Sequence, residues 1–375
     1  MRDQVIENLE PNESFVSVFE SEAKVGELYK IFFANLIFSI LTLGVFRFWA
    51  RTRNRRYIFS HMKMLDDGFE YTGTGGELFK GFLFVFGLII LPFGILPAYY
   101  SNSLMMTDPE TAQMIQGMQV LFFAALFPVA IFRAYKYLFS RVHWRGIHFA
   151  QVGATFGYWW RWISFSLLVP LTLGLILPLR HVVLSRYLVN HARFGNQSFE
   201  MDVSAKKLYP AFLLSYVLAV VSVGGAGLFI KLGFDEISTR FPSQNSGELP
   251  PEMQMIIAAV VVVGILGGMI LAGFSMSVYY AKSISYFVSA TRLNGCHFRA
   301  NIKATRFVAF LVINFLISLV TFGMGYPFIV KRYMTFIAKY VEAQGLQSIE
   351  ETIQIDRDEL KTGEGLADAL DVGVF

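Results

Sequence analysis

Three threonines and three glycines recur at one spacing in apolar surroundings. Thr42, Thr172 and Thr321 each precede a glycine by two residues, at Gly44, Gly174 and Gly323. A hydroxyl beside a backbone that glycine lets unwind is a means by which membrane proteins hold a small cation or polar solute. The same pattern also serves packing, because glycine admits close approach and threonine bonds back to its own helix. Asn35 and Asn314 lie seven residues before the first and third threonine. They offer interhelical hydrogen bonds first and ligand contacts second. A second chemistry is cationic. Arg51, Arg53, Arg55 and Arg56 form one cluster, with Arg141 and Arg145 in another. Each basic residue near an anionic membrane surface contributes about 1 kcal/mol of attraction, so these six are candidate anionic-lipid contacts.

Other chemistries find little support. His61 with His191, and His148 with His297, hold matching places, yet no His-x3-His or Glu-x-x-His spacing exists. The expectation is no metal and no cofactor. Cys296 is the single cysteine, which excludes a disulfide framework and reads as a spare thiol in a turn. Gly73-Thr74-Gly75-Gly76 superficially resembles a phosphate loop but lacks the Lys-Ser/Thr that should follow, and reads as a joint between a hairpin and a helix. Asp and Glu are absent from every long apolar segment, which argues against proton coupling through a buried carboxylate. Nothing here supports an enzyme or a nucleic-acid partner.

The elements that must position these residues are membrane elements. Of 375 residues, 54% are hydrophobic and 16% charged, and 38 are Phe; a soluble domain averages about 25% charged. Stretches near 81–101, 114–132, 210–230 and 254–281 are apolar over the ~20 residues that a spanning helix needs. Segments 31–46, 162–179 and 307–330 carry the Thr-x-Gly motifs and are expected either to span or to re-enter, giving up to seven membrane segments. Loop 101–117 has no Lys or Arg and loop 233–253 has one, whereas 51–78 and 133–161 have five each. The positive-inside bias therefore places the basic regions in the cytoplasm. Segment 162–179 lies between two basic regions. The bias favours its entering from the cytoplasm and returning, against a simple crossing with the rule locally broken. Gly264 and Gly268 make a small-xxx-small face, which packs a helix within the chain or against a second copy.

A longer register runs through the chain. Tyr57, Tyr137, Tyr187 and Tyr286 each precede a Phe by twelve, at Phe69, Phe149, Phe199 and Phe298. Turn residues lie between: Asp66-Asp67-Gly68, Arg145-Gly146, Gly195-Asn196 and Asn294-Gly295. Asn-Gly between short runs is a strong hairpin signal. Phe19, Phe149 and Phe298 are followed by Thr at +23 and Gly at +25. The chain thus reads as an acidic segment 1–18, units 19–148 and 149–297, a partial unit 298–340, and an acidic, mobile cytoplasmic tail 341–375. The fold expected is an all-α polytopic membrane protein with short cytoplasmic β-hairpins and partial internal triplication. The hairpins either pair into one sheet or stay as separate interfacial ribbons.

Leu41-Thr42-Leu43-Gly44, Trp49-Ala50, Arg56-Tyr57 and Gly68-Phe69-Glu70-Tyr71 through Gly75-Gly76 resemble the YjgN-like family of bacterial inner-membrane proteins, a domain of unknown function. The resemblance covers about 14–340 and implies a multi-pass protein of the bacterial inner membrane; it brings no catalytic residues. Transport or permeation of a small solute is one expectation, and a structural or lipid-interacting role, with membrane lipids as partners, is the other.

Overall fold

The computed structural model describes residues 15–240, 251–346, 349 and 352. Short strands punctuate it. β1 (Val16–Ser17) and β2 (Phe19–Ser21) are followed by β3 (Met62–Met64) and β4 (Asp67–Tyr71). Next come β5 (Val142–Trp144), β6 (Ile147–Gln151), β7 (Ala192–Phe194) and β8 (Gln197–Met201). β9 (Thr291–Leu293), β10 (Cys296–Ala300) and β11 (Val341–Gln344) complete the set. Two-residue turns join β5 to β6 and β9 to β10, and both turn residues have positive φ: Arg145 at 50° and Gly146 at 75°, Asn294 at 40° and Gly295 at 87°. Such turns match the twist of the strands that they connect. The first turn falls on Leu65-Asp66 (φ 50° and 66°), one residue earlier than expected, because Asp67 already pairs with Met64.

All eleven strands form one antiparallel sheet in the order β1-β11-β10-β9-β8-β7-β6-β5-β4-β3-β2. The expectation of an all-α protein is overturned by this sheet. The physical reason is edge satisfaction. A lone hairpin leaves a row of backbone N–H and C=O groups unpaired and is marginal in water, whereas neighbours in one sheet pair with each other. β1 pairs with β11 and β2 with β3, although only Val18 separates β1 from β2. The sheet therefore closes on itself as a small barrel. The expected tail is also partly structured: β11 comes from 341–375, and Leu346 and Ile349 are buried against the barrel core. Residues 1–14 of the acidic segment, and 353–375, lie outside the described residues.

The recurrent phenylalanines explain the core. Phe19, Phe69, Phe149, Phe199 and Phe298 stand opposite Met64, Trp144, Phe194, Leu293 and Ala343 respectively. Those five partners are buried to 6% exposure or less, and the phenylalanines pack against them. Trp144 donates its indole N–H to the carbonyls of Met64 and Asp67, each at 3.2 Å.

Tight turns and helical excursions alternate along the sheet: at every second connection the chain leaves the sheet, forms helices and returns. α1 (Val25–Leu41) and α2 (Arg47–Ser60) lie between β2 and β3. α3 (Gly75–Val85), a π-helical stretch Phe86–Ile95, α4 (Leu96–Leu104) and α5 (Pro109–Arg141) lie between β4 and β5. α6 (Thr155–Leu171) and α7 (Leu177–Asn190) lie between β6 and β7. α8 (Tyr209–Arg240) and α9 (Pro251–Ala290) lie between β8 and β9, and α10 (Ala304–Val320) and α11 (Tyr326–Tyr340) between β10 and β11. Among the described residues, four helical stretches are long and apolar enough to cross a membrane: Gly75–Leu104, Pro109–Arg141, Tyr209–Arg240 and Glu252–Ala290. α1, α6 and α10 have 17 residues each, about 25 Å at 1.5 Å per residue, against a ~30 Å hydrocarbon core. The Thr-x-Gly motif ends each of them.

The chain divides into two compact units: residues 1–203, 287–300 and 324–375 in the first, and 204–286 with 301–323 in the second. In the first, Pro92 sits in the π-helical stretch. Pro97 has no N–H to give the Phe93 carbonyl one turn back. The Gln119 amide supplies that donor from α5, reaching the carbonyls of Phe93 at 3.2 Å and Gly94 at 2.6 Å. In the second, Gly264 faces Ile230, and a methyl added at Gly268 would lie 2.6 Å from the Ala226 Cβ. The small-residue face of α9 thus packs on α8 of the same chain.

Candidate functional site

The three Thr-x-Gly motifs build turns. Gly44, Gly174 and Gly323 have φ of +88°, +84° and +83°, and the residue before each, Leu43, Leu173 or Phe322, has φ of 49°. Glycine is the residue that adopts this conformation at little cost. The Thr42 hydroxyl donates to the Phe38 carbonyl at 2.7 Å and accepts from the Phe46 N–H at 2.9 Å. Thr172 donates to Leu168 at 2.8 Å and Thr321 to Ile317 at 2.6 Å. Their hydroxyls serve their own helix ends. The turns instead present apolar side chains: Leu43 is 95% exposed, Leu173 76% and Phe322 94%.

The basic candidates separate into two kinds. Arg141 is buried, 3.2 Å from Glu77, which also accepts from the Tyr137 hydroxyl at 2.9 Å. Arg55 is buried and reaches the Tyr71 hydroxyl at 3.3 Å. Arg145 pairs with Asp67 at 2.5 Å and covers the Trp144 ring. These three tie helices and strands together. Arg51 is half-buried, while Arg53 and Arg56 are exposed.

Arg53 and Arg56 line a cleft of about 580 Å³. α2 forms one wall with Trp49, Arg53, Arg56 and Ser60, spaced three to four residues apart and so on one helical face. The opposite wall is the start of α3, with Thr74, Gly75 and Gly76. Thr74 caps that helix by accepting from the Glu77 N–H at 3.3 Å. Gly75 lies so close to Trp49 that a Cβ would fall 2.6 Å from its ring, and Gly76 faces open space. Arg56 donates to the Gly73 carbonyl at 3.2 Å, bridging the walls. Arg53 is aimed by Asn35, whose Oδ1 accepts from its Nη1 at 3.3 Å while the Asn35 amide donates to Asn54 at 3.1 Å. The cleft gathers two cations, the positive end of a helix dipole and an indole, an arrangement that suits a phosphate carried on an apolar body. Beside it the Tyr57 hydroxyl, 3.1 Å from Glu27, holds that carboxyl below the usual carboxylate range.

The structure thus brings together Asn35, Arg53 and Arg56 from the sequence candidates. Trp49 and Asn54 were missed as site residues, and Thr74 and Gly76 were set aside as a joint between a hairpin and a helix; the three-to-four spacing from Trp49 to Ser60 was the signal that could have found the α2 wall. Asn314 is buried on α10. The matched histidines take local roles: His61 Nδ1 lies 2.9 Å from the Tyr57 carbonyl and His191 Nδ1 2.8 Å from that of Tyr187. Cys296 is fully buried, and burial pushes its thiol up to about 11.

Comparison with known proteins agrees with a membrane setting. A family model described as a bacterial protein of unknown function (DUF898) matches residues 17–369. The "Inner membrane protein YjgN" of Salmonella typhimurium is 22% identical over 376 residues, covering 88% of this chain and 89% of that protein. Its namesake in Escherichia coli K12 is 24% identical over 174 residues, covering 46% of this chain and 39% of that protein. No solved structure matches.

Proposed function

Because the chain belongs to the DUF898 family of bacterial proteins of unknown function, with relatives named as inner-membrane proteins, we propose that it is a non-catalytic, lipid-binding protein of the bacterial inner membrane. The cleft between α2 and α3 receives the phosphate of an anionic headgroup. One observation carries this reading: the exposed Arg53 and Arg56 share a cleft with Trp49 and the start of α3. The barrel lies in the cytoplasm, on the basic side of the chain. Two helical pairs cross the membrane. The other three enter one leaflet and return, each with an apolar residue (Leu43, Leu173 or Phe322) at its tip. That placement gives these exposed tips an apolar solvent in place of water.

Solute permeation is the weaker reading. It rests on the recurrent blocks and the broken membrane segments. The threonine hydroxyls that would have served it are hydrogen-bonded to their own helices.

The test is lipid retention in nanodiscs containing phosphatidylcholine and phosphatidylglycerol, read by native mass spectrometry. Removing both charges in the double variant Arg53→Gln/Arg56→Gln costs about 2 kcal/mol of attraction. Phosphatidylglycerol affinity should therefore fall about thirty-fold, with phosphatidylcholine unchanged. Equal affinity in wild type and variant would overturn the assignment of the cleft. Saturable solute flux in proteoliposomes, indifferent to these substitutions, would favour permeation.

A further inference from the structure

The donors around the α2–α3 cleft discriminate between kinds of phosphate. The guanidinium groups of Arg53 and Arg56 line it, and no carboxylate does among the described residues. The two nearby acids are engaged. Glu77, in the first turn of α3, lies 3.2 Å from Arg141 and accepts from the Tyr137 hydroxyl at 2.9 Å. Glu27 accepts from the Tyr57 hydroxyl at 3.1 Å and lies 3.5 Å from both Lys24 and His61. An acid at a helix start ordinarily offsets the positive end of the dipole; here Arg141 and Tyr137 draw that acid to α5. The N–H groups of a helix's first turn have no partner within the helix. Thr74 accepts that of Glu77 at 3.3 Å, and among the described residues nothing accepts those of Gly75 and Gly76. Both glycines line the cleft, and a Cβ at Gly76 would meet nothing within 4 Å. The glycine run that reads in the sequence as a joint thus brings two backbone donors to the cleft that holds the two arginines.

We propose that the cleft selects a phosphomonoester lipid, of the phosphatidic acid class, over phosphodiester lipids. This inference rests on the assignment of the cleft to an anionic headgroup. A diester phosphate has two free oxygens and one charge. A monoester has three free oxygens and a charge of about −1.5 to −2 at neutral pH. Two guanidinium groups, with the roughly +0.5 charge of a helix start, match the second charge. The glycine N–H groups give the third oxygen donors of its own. Arg53 and Arg56 are held for the task by Asn35 at 3.3 Å and the Gly73 carbonyl at 3.2 Å. A lipid, in place of a soluble phosphomonoester, follows from Ile31, Phe46 and Trp49, which continue the wall with apolar surface.

The test uses the full chain in phosphatidylcholine nanodiscs doped with equal amounts of phosphatidic acid and phosphatidylglycerol, read by native mass spectrometry. Phosphatidic acid should be retained about fivefold more tightly than phosphatidylglycerol, the factor that one further unit charge is worth here. Gly76→Asp keeps a residue suited to a helix start and sets a carboxylate in the cleft. That carboxylate repels a dianion more than a monoanion: phosphatidic acid should weaken about twenty-five-fold and phosphatidylglycerol about fivefold, so the preference disappears. Thr74→Asp keeps a capping oxygen and should act in the same direction, which keeps the test decisive if the first variant fails to fold. A preference that neither substitution reduces would overturn the proposal. Equal retention of the two lipids, both weakened by Arg53→Gln/Arg56→Gln, would overturn it and leave the headgroup site standing. Retention of neither lipid above phosphatidylcholine would overturn both readings. Glycerol 3-phosphate or inorganic phosphate should leave the bound lipid in place; displacement by either would assign the cleft to a soluble phosphate and overturn the choice of a lipid.

Discussion

Closure of the sheet makes a prediction that a covalent bond can test. Ser17 and Glu342 stand directly opposite each other where β1 meets β11. Ser17 is exposed, and Glu342 pairs with Arg299 at 2.6 Å. In the double variant Ser17→Cys/Glu342→Cys, opposed strand positions hold their Cβ atoms ~4.5–5.5 Å apart, within a small adjustment of disulfide geometry. Losing the half-exposed Arg299 pair costs about 0.2–1 kcal/mol. The new bond closes a loop of roughly 325 residues, for which chain entropy gives about 6 kcal/mol of stabilisation at most. An apparent Tm about ten degrees higher for the oxidised than for the reduced protein would follow. The native thiol does not compete, since Cys296 is fully buried. The assay is a non-reducing gel with mass spectrometry of the linked peptides, run beside Glu20→Cys/Lys63→Cys, a directly opposed pair on β2 and β3. Efficient oxidation of the second pair with none of the first would refute closure and leave an open sheet.

Four further outcomes are expected. Gln119→Leu withdraws the donor from two carbonyls beside Pro97 and should destabilise by about 1–3 kcal/mol, read as a lower Tm in detergent. Gly174→Ala forces an L residue into the left-handed region at φ +84° and should cost about 1–2 kcal/mol, whereas Thr172→Ser keeps the hydroxyl and should cost less. Maleimide should leave Cys296 unmodified in native protein at pH 8 and label it fully on denaturation, because the thiol is buried and its pKa is raised to about 11. The Lys63 ammonium, 2.6 Å from Glu22, holds that carboxyl below its usual value of 4.5. That stabilisation is complete above the unfolded pKa and disappears as pH falls through the lowered one; Lys63→Met should return the Glu22 titration, followed by NMR, to the ordinary range.

Much of this architecture is legible in the residues, and the illegible parts have physical causes. The four long apolar helices stand out because a bilayer crossing demands some twenty apolar residues in a row. Asn294-Gly295 announces its turn because both positions need positive φ. The joining of the strands was hidden, since a period of two cannot be established over the three residues of Met62–Met64 or Val142–Trp144. β11 was hidden more deeply: Glu342 lies in an acidic stretch, and its partner Ser17 is hundreds of residues away. α2 is legible only as the basic end of a membrane segment, because Arg47, Arg51, Arg53, Arg55 and Arg56 crowd into it. Arginine is mostly a surface residue, so nothing in the sequence separates buried Arg55 and Arg141 from exposed Arg53 and Arg56. Of the cleft, the α2 wall was legible in its spacing, but its pairing with Gly76 depends on a tertiary approach that no local pattern encodes.

The seam between β1 and β11 also sets an order on biosynthesis. Its two halves are among the earliest and latest described residues to be translated. At about 5–20 residues per second, Val16 and Ser17 wait roughly 15–65 seconds for the segment that will hydrogen-bond them. Throughout that interval the nascent ring is open, and the β1 edge is a backbone template in want of a strand. Products of this chain that stop short of β11 therefore carry a hazard that the longer chain lacks: association with one another along an edge that β11 covers.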